Sequence, residues 1–161
     1  MEKYIYLLLL TFISVNSNAQ TNSIHFEDLQ FKSRENLDIL KINENNLLQI
    51  KPDSQENYDY EMNGTSGFVY YYGNSKLYYE EGNFKYWELT DNHILIGKND
   101  KFLKVGDPIE SISEVFLDYS NNQESGIISI SLDSRDYEME CTFLNFEVLA
   151  GKIQKIWRTD C

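Results

Sequence analysis

The sequence predicts an α+β fold, an antiparallel sheet with short helices on one face. Three observations support this. Aromatic and β-branched segments recur between Gly/Asn turns from residue 68 onward, as in an antiparallel meander. Alternating apolar and polar segments follow residue 126, and a short amphipathic helix is predicted between the two regions. The chain of 161 residues is long enough for one domain with a hydrophobic core.

Residues 1–19 are predicted to be a signal peptide that precedes this domain. The apolar run Tyr4–Val15 has the length of the hydrophobic region of an export signal, and Lys3 gives it a basic start. Ser17-Asn18-Ala19 supplies small residues where a signal peptidase cleaves. A short membrane anchor is the alternative, but the run is too short to span a bilayer comfortably. Residues 20–161 are therefore expected to form a periplasmic or secreted domain without a stable membrane anchor.

The acidic charge balance excludes some classes of partner. There are 26 Asp and Glu against 14 Lys and Arg, a net charge of −12. Such a field repels phosphate backbones and anionic lipids, so nucleic-acid and membrane-surface roles are disfavoured. It attracts a basic protein or a cation. The alternative is that the charge serves solubility alone.

The first half of the domain is predicted to contain a strand, a short helix and a meander. Leu37–Ile42 has a mixed strand pattern, and residues 43–51 form a capped helix that Pro52 ends. Strands follow at 68–72, 76–80 and 84–89, joined by turns at Gly73-Asn74-Ser75 and Glu81-Gly82-Asn83. Two further strands are predicted at 93–96 and 102–105.

The second half opens with a helix and continues with strands. Asp107 is the predicted N-cap and Pro108 the first helical residue. The apolar face of this helix comprises Ile109, Ile112, Val115 and Phe116. Among the strands, Ile128, Ile130 and Leu132 share one face, as do Tyr137, Met139, Cys141 and Phe143, and 152–157 is the last strand.

Cys141 and Cys161 are expected to form a disulfide, because export places them where a bridge persists. Such a bridge would tie the C-terminal residue to a strand. Two unpaired thiols are the alternative.

The two halves resemble one another. Leu47–Ser54 compares with Ser113–Ser120, and Leu77–Trp87 with Phe146–Trp157, at offsets of about 66 and 69 residues. Tandem helix–meander repeats at 37–96 and 102–158 are one interpretation. The other is that any two hairpins with a Gly turn look similar.

The repeated pattern resembles tandem-repeat domains of the β-lactamase inhibitory protein type, and is similar to the small outer-membrane assembly lipoproteins. The resemblance covers about Leu37 to Trp157 and implies an exported protein without catalytic residues that binds proteins through its sheet and loops. The chain lacks the lipidated Cys of the lipoproteins. None of the residues by which the inhibitor blocks its target can be placed in this sequence, so lactamase inhibition itself is not inferred.

Catalytic and metal-binding patterns are not found. His25 and His93 have no Cys or other His at metal-ligand spacing, and Cys141 has no His near it in sequence. The carboxylates of Asp136, Glu138 and Glu140 share one strand face, but chance pairs are expected in so acidic a chain. We therefore expect a protein that is not an enzyme and uses no cofactor or metal.

The 12 tyrosines provide the best candidates for a binding surface. Strand alternation cannot bury every tyrosine of the first meander on one face, and exposed Tyr is favoured in recognition surfaces. The candidates are Tyr70, Tyr72, Tyr78 and Tyr86. The alternatives are that both faces are covered, or that Tyr serves only as a strand former.

The expected function is that of an exported, non-catalytic binding protein that engages a protein partner, possibly a basic one, through an aromatic sheet face and acidic loops. One alternative is an immunity protein that neutralises a basic exported toxin. Another is a carbohydrate-binding or glycan-processing protein.

Overall fold

The computed structural model describes residues 23–33, 51–60, 65–116, 124–135 and 141–161. The predicted signal peptide, the strand Leu37–Ile42 and the first predicted helix lie outside the described residues, apart from the end of that helix at residue 51. The elements in chain order are β1 (Ser23–His25), a 3₁₀ helix (Phe26–Asp28), β2 (Leu29–Ser33), β3 (Ser54–Tyr60), β4 (Thr65–Tyr72), β5 (Ser75–Glu80), β6 (Asn83–Leu89), β7 (Ile94–Lys98), β8 (Lys101–Leu103), α1 (Glu110–Phe116), β9 (Gly126–Asp133), β10 (Thr142–Leu149) and β11 (Lys152–Asp160).

Two sheets form the layers of the fold. The large sheet has eight strands in the order β1-β9-β10-β11-β6-β5-β4-β3, and its neighbours are antiparallel except for the parallel pair β1–β9. The small sheet has three antiparallel strands in the order β2-β7-β8. The broad prediction of a sheet-rich antiparallel α+β fold is confirmed. The fold differs from the prediction in the elements that pack on the large sheet. They include the small sheet, which the sequence did not predict.

The hydrophobic core lies between the two layers. Phe31 of β2 contacts the rings of Phe84 and Trp87 in the large sheet, at centroid distances of 5.2 and 4.8 Å. α1 packs on β7 and β8 and places Phe116 against Phe146 of β10. The face of the large sheet that contacts these elements is its inner face. In β9 the apolar residues Ile128, Ile130 and Leu132 are buried on it, as their alternation predicts.

The helix α1 begins later than the sequence predicts. Pro108 forms a bridge with Lys152, and the described helix starts at Glu110. The Asp107 carboxylate accepts a hydrogen bond from the Lys104 N–H at 3.0 Å, so it closes the preceding turn and does not cap the helix. The buried face of the helix consists of Ile112, Val115 and Phe116, as expected.

The disulfide prediction is confirmed. Cys141 and Cys161 are bridged, with their Cα atoms 5.4 Å apart, and the Cys161 N–H also donates to the Cys141 carbonyl. Cys141, however, precedes β10 with a φ of 55°. Tyr137 and Met139 lie outside the described residues. At the described end of the predicted strand, Thr142, Leu144 and Phe146 face the core instead of Cys141 and Phe143, so the predicted phase was wrong there by one residue.

Two hairpins share the same geometry. Glu81-Gly82 and Ala150-Gly151 both turn through positive φ values, 50° and 77° in the first and 52° and 71° in the second. Each hairpin then has a register shift, at Tyr78/Tyr79 in β5 and at Glu147/Val148 in β10. The second strand of each hairpin therefore has one extra residue, Lys85 in β6 and Gln154 in β11. The hairpins β5–β6 and β10–β11 meet where β6 pairs with β11, and we call this strand pair the seam.

Candidate functional site

The outer face of the large sheet is the surface opposite the small sheet and α1. In β5 and at the end of β6 buried residues alternate with half-buried side chains that lie on this outer face, whereas in β4 the outward residue Val69 is itself buried. Paired residues across strands share a face, so the register gives its rows: Val69–Tyr78–Tyr86, and next to it Tyr71–Lys76–Glu88–Trp157. The residues that we call the outer aromatic face are Tyr58, Tyr71, Tyr78, Tyr86 and Trp157.

The four tyrosines proposed from the sequence divide between the two faces. Tyr70 and Tyr72 are each only 6% exposed and lie in the core, where Tyr70 contacts the ring of Tyr79 at 5.4 Å. Burial raises the pKa of Tyr72 to about 12, with smaller contributions from nearby Tyr70 and Asp53. These two positions do not fit a surface role, because the register pairs Tyr70 with the buried Leu77.

Tyr78 and Tyr86 are half-buried on the outer face and directly opposite one another in the ladder. Sequence reasoning did not select Tyr71 and Trp157, which lie beside them. Only the strand register could have identified these two residues. Composition alone does not distinguish Tyr71 from its neighbours Tyr70 and Tyr72, and it does not show that Trp157 lies beside them.

Neighbouring side chains hold the aromatic rings in place. Tyr58 contacts the Tyr78 ring edge-on at 5.5 Å. The Tyr71 hydroxyl donates a hydrogen bond to the Glu56 carboxylate at 2.9 Å, and this bond raises the pKa of Tyr71. Lys155 lies 5.2 Å from the centre of the Trp157 ring. Rings that are already oriented lose little conformational freedom on binding, which favours recognition.

The seam beside Tyr86 is filled by a buried arginine. Arg158 is 9% exposed, and its guanidinium lies 5.2 Å from the Phe26 ring centre and 4.9 Å from that of Tyr86. It donates to the Lys85 carbonyl at 2.8 Å and to Asp160 at 3.2 Å. Because β6 and β11 pair at only two described positions, this side chain closes the gap where the strands diverge.

Asp160 completes the same network. Its carboxylate accepts hydrogen bonds from the Tyr86 hydroxyl at 2.7 Å and from the Thr142 hydroxyl at 3.0 Å. Asp160 directly precedes Cys161, so the disulfide fixes its backbone. The position of Tyr86 on the outer face therefore depends on the C-terminal residues.

The other half of the outer face is mostly polar. The Ser129 hydroxyl donates to Asn145 at 2.6 Å, and the Asn145 amide donates to Thr159 at 2.9 Å. Ile127, 62% exposed, is a large apolar residue in this half. The aromatic residues are thus concentrated on β4, β5, β6 and β11.

A Ser–Asp–His cluster lies beside the turn between β4 and β5. It has the composition of a catalytic triad but a different arrangement. The Ser75 hydroxyl donates to Asp91 at 2.9 Å, and Nδ1 of His93 lies 2.9 Å from the same carboxylate. Ser75 is fully buried, and its hydroxyl is directed at the acid instead of the imidazole. A nucleophile needs the base within reach of its own proton, so this arrangement supports the turn and not acyl transfer.

Asp91 is the centre of that turn. Its carboxylate also accepts hydrogen bonds from the backbone N–H groups of Asn74 and His93, at 2.5 and 3.1 Å. Burial alone would raise the pKa of Asp91, but these hydrogen bonds outweigh it and lower the pKa.

Metal and membrane sites receive no support from the described ranges. Within them, no group of three or more His, Cys, Asp or Glu is arranged to hold a metal ion. Among the same residues no helix is both long and apolar enough to cross a bilayer. The carboxylates Asp136, Glu138 and Glu140 lie outside the described part of the chain.

Comparison with protein-family models, with curated proteins and with solved structures gives no match for this chain. The functional argument therefore depends on the surface itself.

Proposed function

We propose that the protein is an exported, non-catalytic binding protein that engages a protein partner through the outer aromatic face. One observation carries the proposal: four tyrosines and a tryptophan lie together on the sheet face opposite the small sheet and α1. Tyr and Trp supply large contact areas at low entropic cost and are enriched in interfaces.

The charges favour a basic partner. The outer aromatic face itself carries both signs, with Glu56 and Glu88 beside Lys76 and Lys155. The whole chain has a net charge of −12, which steers a basic protein towards it and accelerates encounter. An immunity protein that neutralises a basic exported toxin is one form of this function. The Cys141–Cys161 bridge supports export, since disulfides persist in oxidising compartments.

We also infer that the chain contains two tandem helix–meander repeats, with the meanders β4–β6 and β9–β11 in the large sheet; the first predicted helix lies outside the described residues. The matching turns and register shifts of the two hairpins, at the offset of about 69 residues given by the sequence, support this. The mirrored order β9-β10-β11 and β6-β5-β4 around the seam supports it as well. The duplication agrees with the resemblance to tandem-repeat inhibitory proteins, which bind their targets through sheet and loops.

The test is capture of a partner from extracellular and periplasmic extracts with matched variants. The immobilised mature chain should retain a protein at low and moderate salt, and the double variant Tyr78→Ser/Trp157→Ser should not. The control is Ile127→Ser, which removes an exposed apolar side chain from the polar half of the same face. Thermal unfolding of each variant must show an intact fold.

Two outcomes would contradict the proposal. One is that no protein is retained at either salt concentration. The other is equal retention by the wild type and the double variant. Quenching of Trp157 fluorescence by a glycan panel, without any captured protein, would favour the carbohydrate-binding alternative.

A further inference from the structure

Among the described strands, β3 lies at one edge of the large sheet. It pairs with β4 along seven consecutive residues without a register shift, and no described strand pairs with its other side. Natural edge strands are usually protected by charged side chains, especially Lys, by Pro or by a bulge. The charges of β3 are the carboxylates of Glu56 and Asp59, which oppose an acidic strand but not a basic one. Ser54–Tyr60 contains no Pro and no Lys, and most of its described side chains are exposed. The edge therefore offers backbone groups to another strand.

The opposite edge of the sheet differs. There β1 pairs with the last three residues of β9, from Ser131 to Asp133. β1 has only three residues, whereas β3 has seven. The longer, regular edge is the better template for an added strand.

A shallow acidic depression adjoins β3. The residues that line it include Asp59, Glu81, Asn57 and Phe68. Asn57 and Asp59 pair with Phe68 and Ser66, so these side chains share one face of the sheet. Phe68 also packs against the core. A depression lined by one aromatic and two acidic residues suits a long basic side chain, whose stem can pack on the ring while its charge meets the carboxylates.

We propose that β3 accepts an added strand from a basic partner polypeptide, with one of its Lys or Arg side chains in the depression formed by Asp59, Glu81 and Phe68. The backbone of the added strand pairs with the edge of β3 that no described strand occupies. Its alternate side chains point to the depression, and the side chains between them point to the outer face near Tyr58.

Charge decides between a basic partner and a second copy of this chain. β3 carries Glu56 and Asp59 and no basic residue. Two copies paired edge to edge around a two-fold axis would bring these carboxylates close to their own equivalents, and like charges opposite one another destabilise strand pairing. A lysine-rich strand meets the same edge with opposite charge.

This inference does not depend on the outer aromatic face, because it concerns the sheet edge and the depression beside it. The probe is a capped, fluorescently labelled peptide of about seven residues that alternates lysine and threonine. Its binding to the full mature chain is measured by anisotropy. The double variant Asp59→Asn/Glu81→Asn should weaken binding roughly fivefold to tenfold at low salt. Asn tolerates the positive φ of position 81, so the turn is preserved.

Backbone pairing is tested with methylated peptides. Two peptides are compared, each N-methylated at every second residue, so that each lacks the backbone donors of one edge. The peptide that lacks the donors facing β3 should not bind, and the other should bind. The variant Trp157→Ser, which lies in β11 with β6, β5 and β4 between it and β3, should bind the peptide as the wild type does, and this separates the test from that of the proposed function. Hydrogen exchange of the β3 amides should slow on binding, with no change in β9.

Several results would overturn the inference. Absence of binding at low salt is one. Equal binding of both methylated peptides would show charge attraction without strand pairing. A dimer of the free chain with protected β3 amides would assign the edge to a second copy. Slowed exchange in another element with β3 unchanged would place the peptide elsewhere.

Discussion

Replacing Arg158 by Ala should destabilise the fold by about 3 kcal/mol. The estimate combines about 1.5 kcal/mol for the charge-assisted hydrogen bond to the Lys85 carbonyl with about 0.8 kcal/mol for each contact with the rings of Phe26 and Tyr86. The ion pair with Asp160 adds little, because that carboxylate is 35% exposed and solvent screens it. For a domain of this size the melting temperature should fall by about 9 °C.

The matched control is Arg135→Ala. Arg135 lies 2.9 Å from Asp28, so its ion pair is as short as that of Arg158, but the Arg135 side chain is 54% exposed. Its loss should cost less than about 1 kcal/mol. Arg158→Lys keeps the charge but loses the planar fork, and should fall between the two. Urea unfolding followed by Trp fluorescence gives all three values. Equal effects of Arg158→Ala and Arg135→Ala would refute the role given to the buried guanidinium.

Three further predictions follow from particular residues. Replacing Cys141 and Cys161 by Ser opens a loop of 20 residues and should lower the free energy of unfolding by about 3 kcal/mol, as measured by urea titration under non-reducing conditions; an unchanged midpoint would contradict this. The lowered pKa of Asp91 means that its contribution to stability is complete well above the ordinary value of 3.8 and is lost as pH falls through the folded-state pKa. The pKa of Glu27 is lowered as well, so both carboxylates contribute to acid unfolding of the wild type. The test is therefore the difference in acid unfolding between the wild type and Asp91→Asn. Parallel unfolding curves of the two proteins would count against the assignment. Ala150 has a φ of 52°, so Ala150→Gly should raise stability by about 1 kcal/mol and Ala150→Val should lower it, whereas the reverse order would exclude strain at this turn.

Local patterns in the sequence predicted much of the large sheet. The turns at Gly73 and Gly82 and the alternation of β9 are short-range features, so the strands around them could be located. The disulfide was predicted from the expected export signal and the presence of two cysteines. The small sheet could not be predicted in the same way, because β2 pairs with β7, far along the chain. Nothing in residues 29–33 alone indicates that partner.

The candidate site required the register. Tyr70, Tyr71 and Tyr72 are adjacent, and a shift of one residue would exchange the buried and outward positions. The pairing of Tyr70 with Leu77 settles the choice in the fold. The phase of β10 was wrong for a related reason. Cys141 adopts a positive φ, so the alternation predicted across it does not continue into Thr142.

The most direct measurement of the central claim is hydroxyl-radical footprinting of the chain with and without its captured partner. The account predicts that Tyr71, Tyr78 and Trp157 react in the free chain and are protected in the complex, while the buried Tyr70 and Tyr72 react in neither state. Protection of other residues, with Tyr71, Tyr78 and Trp157 equally reactive in both states, would contradict it.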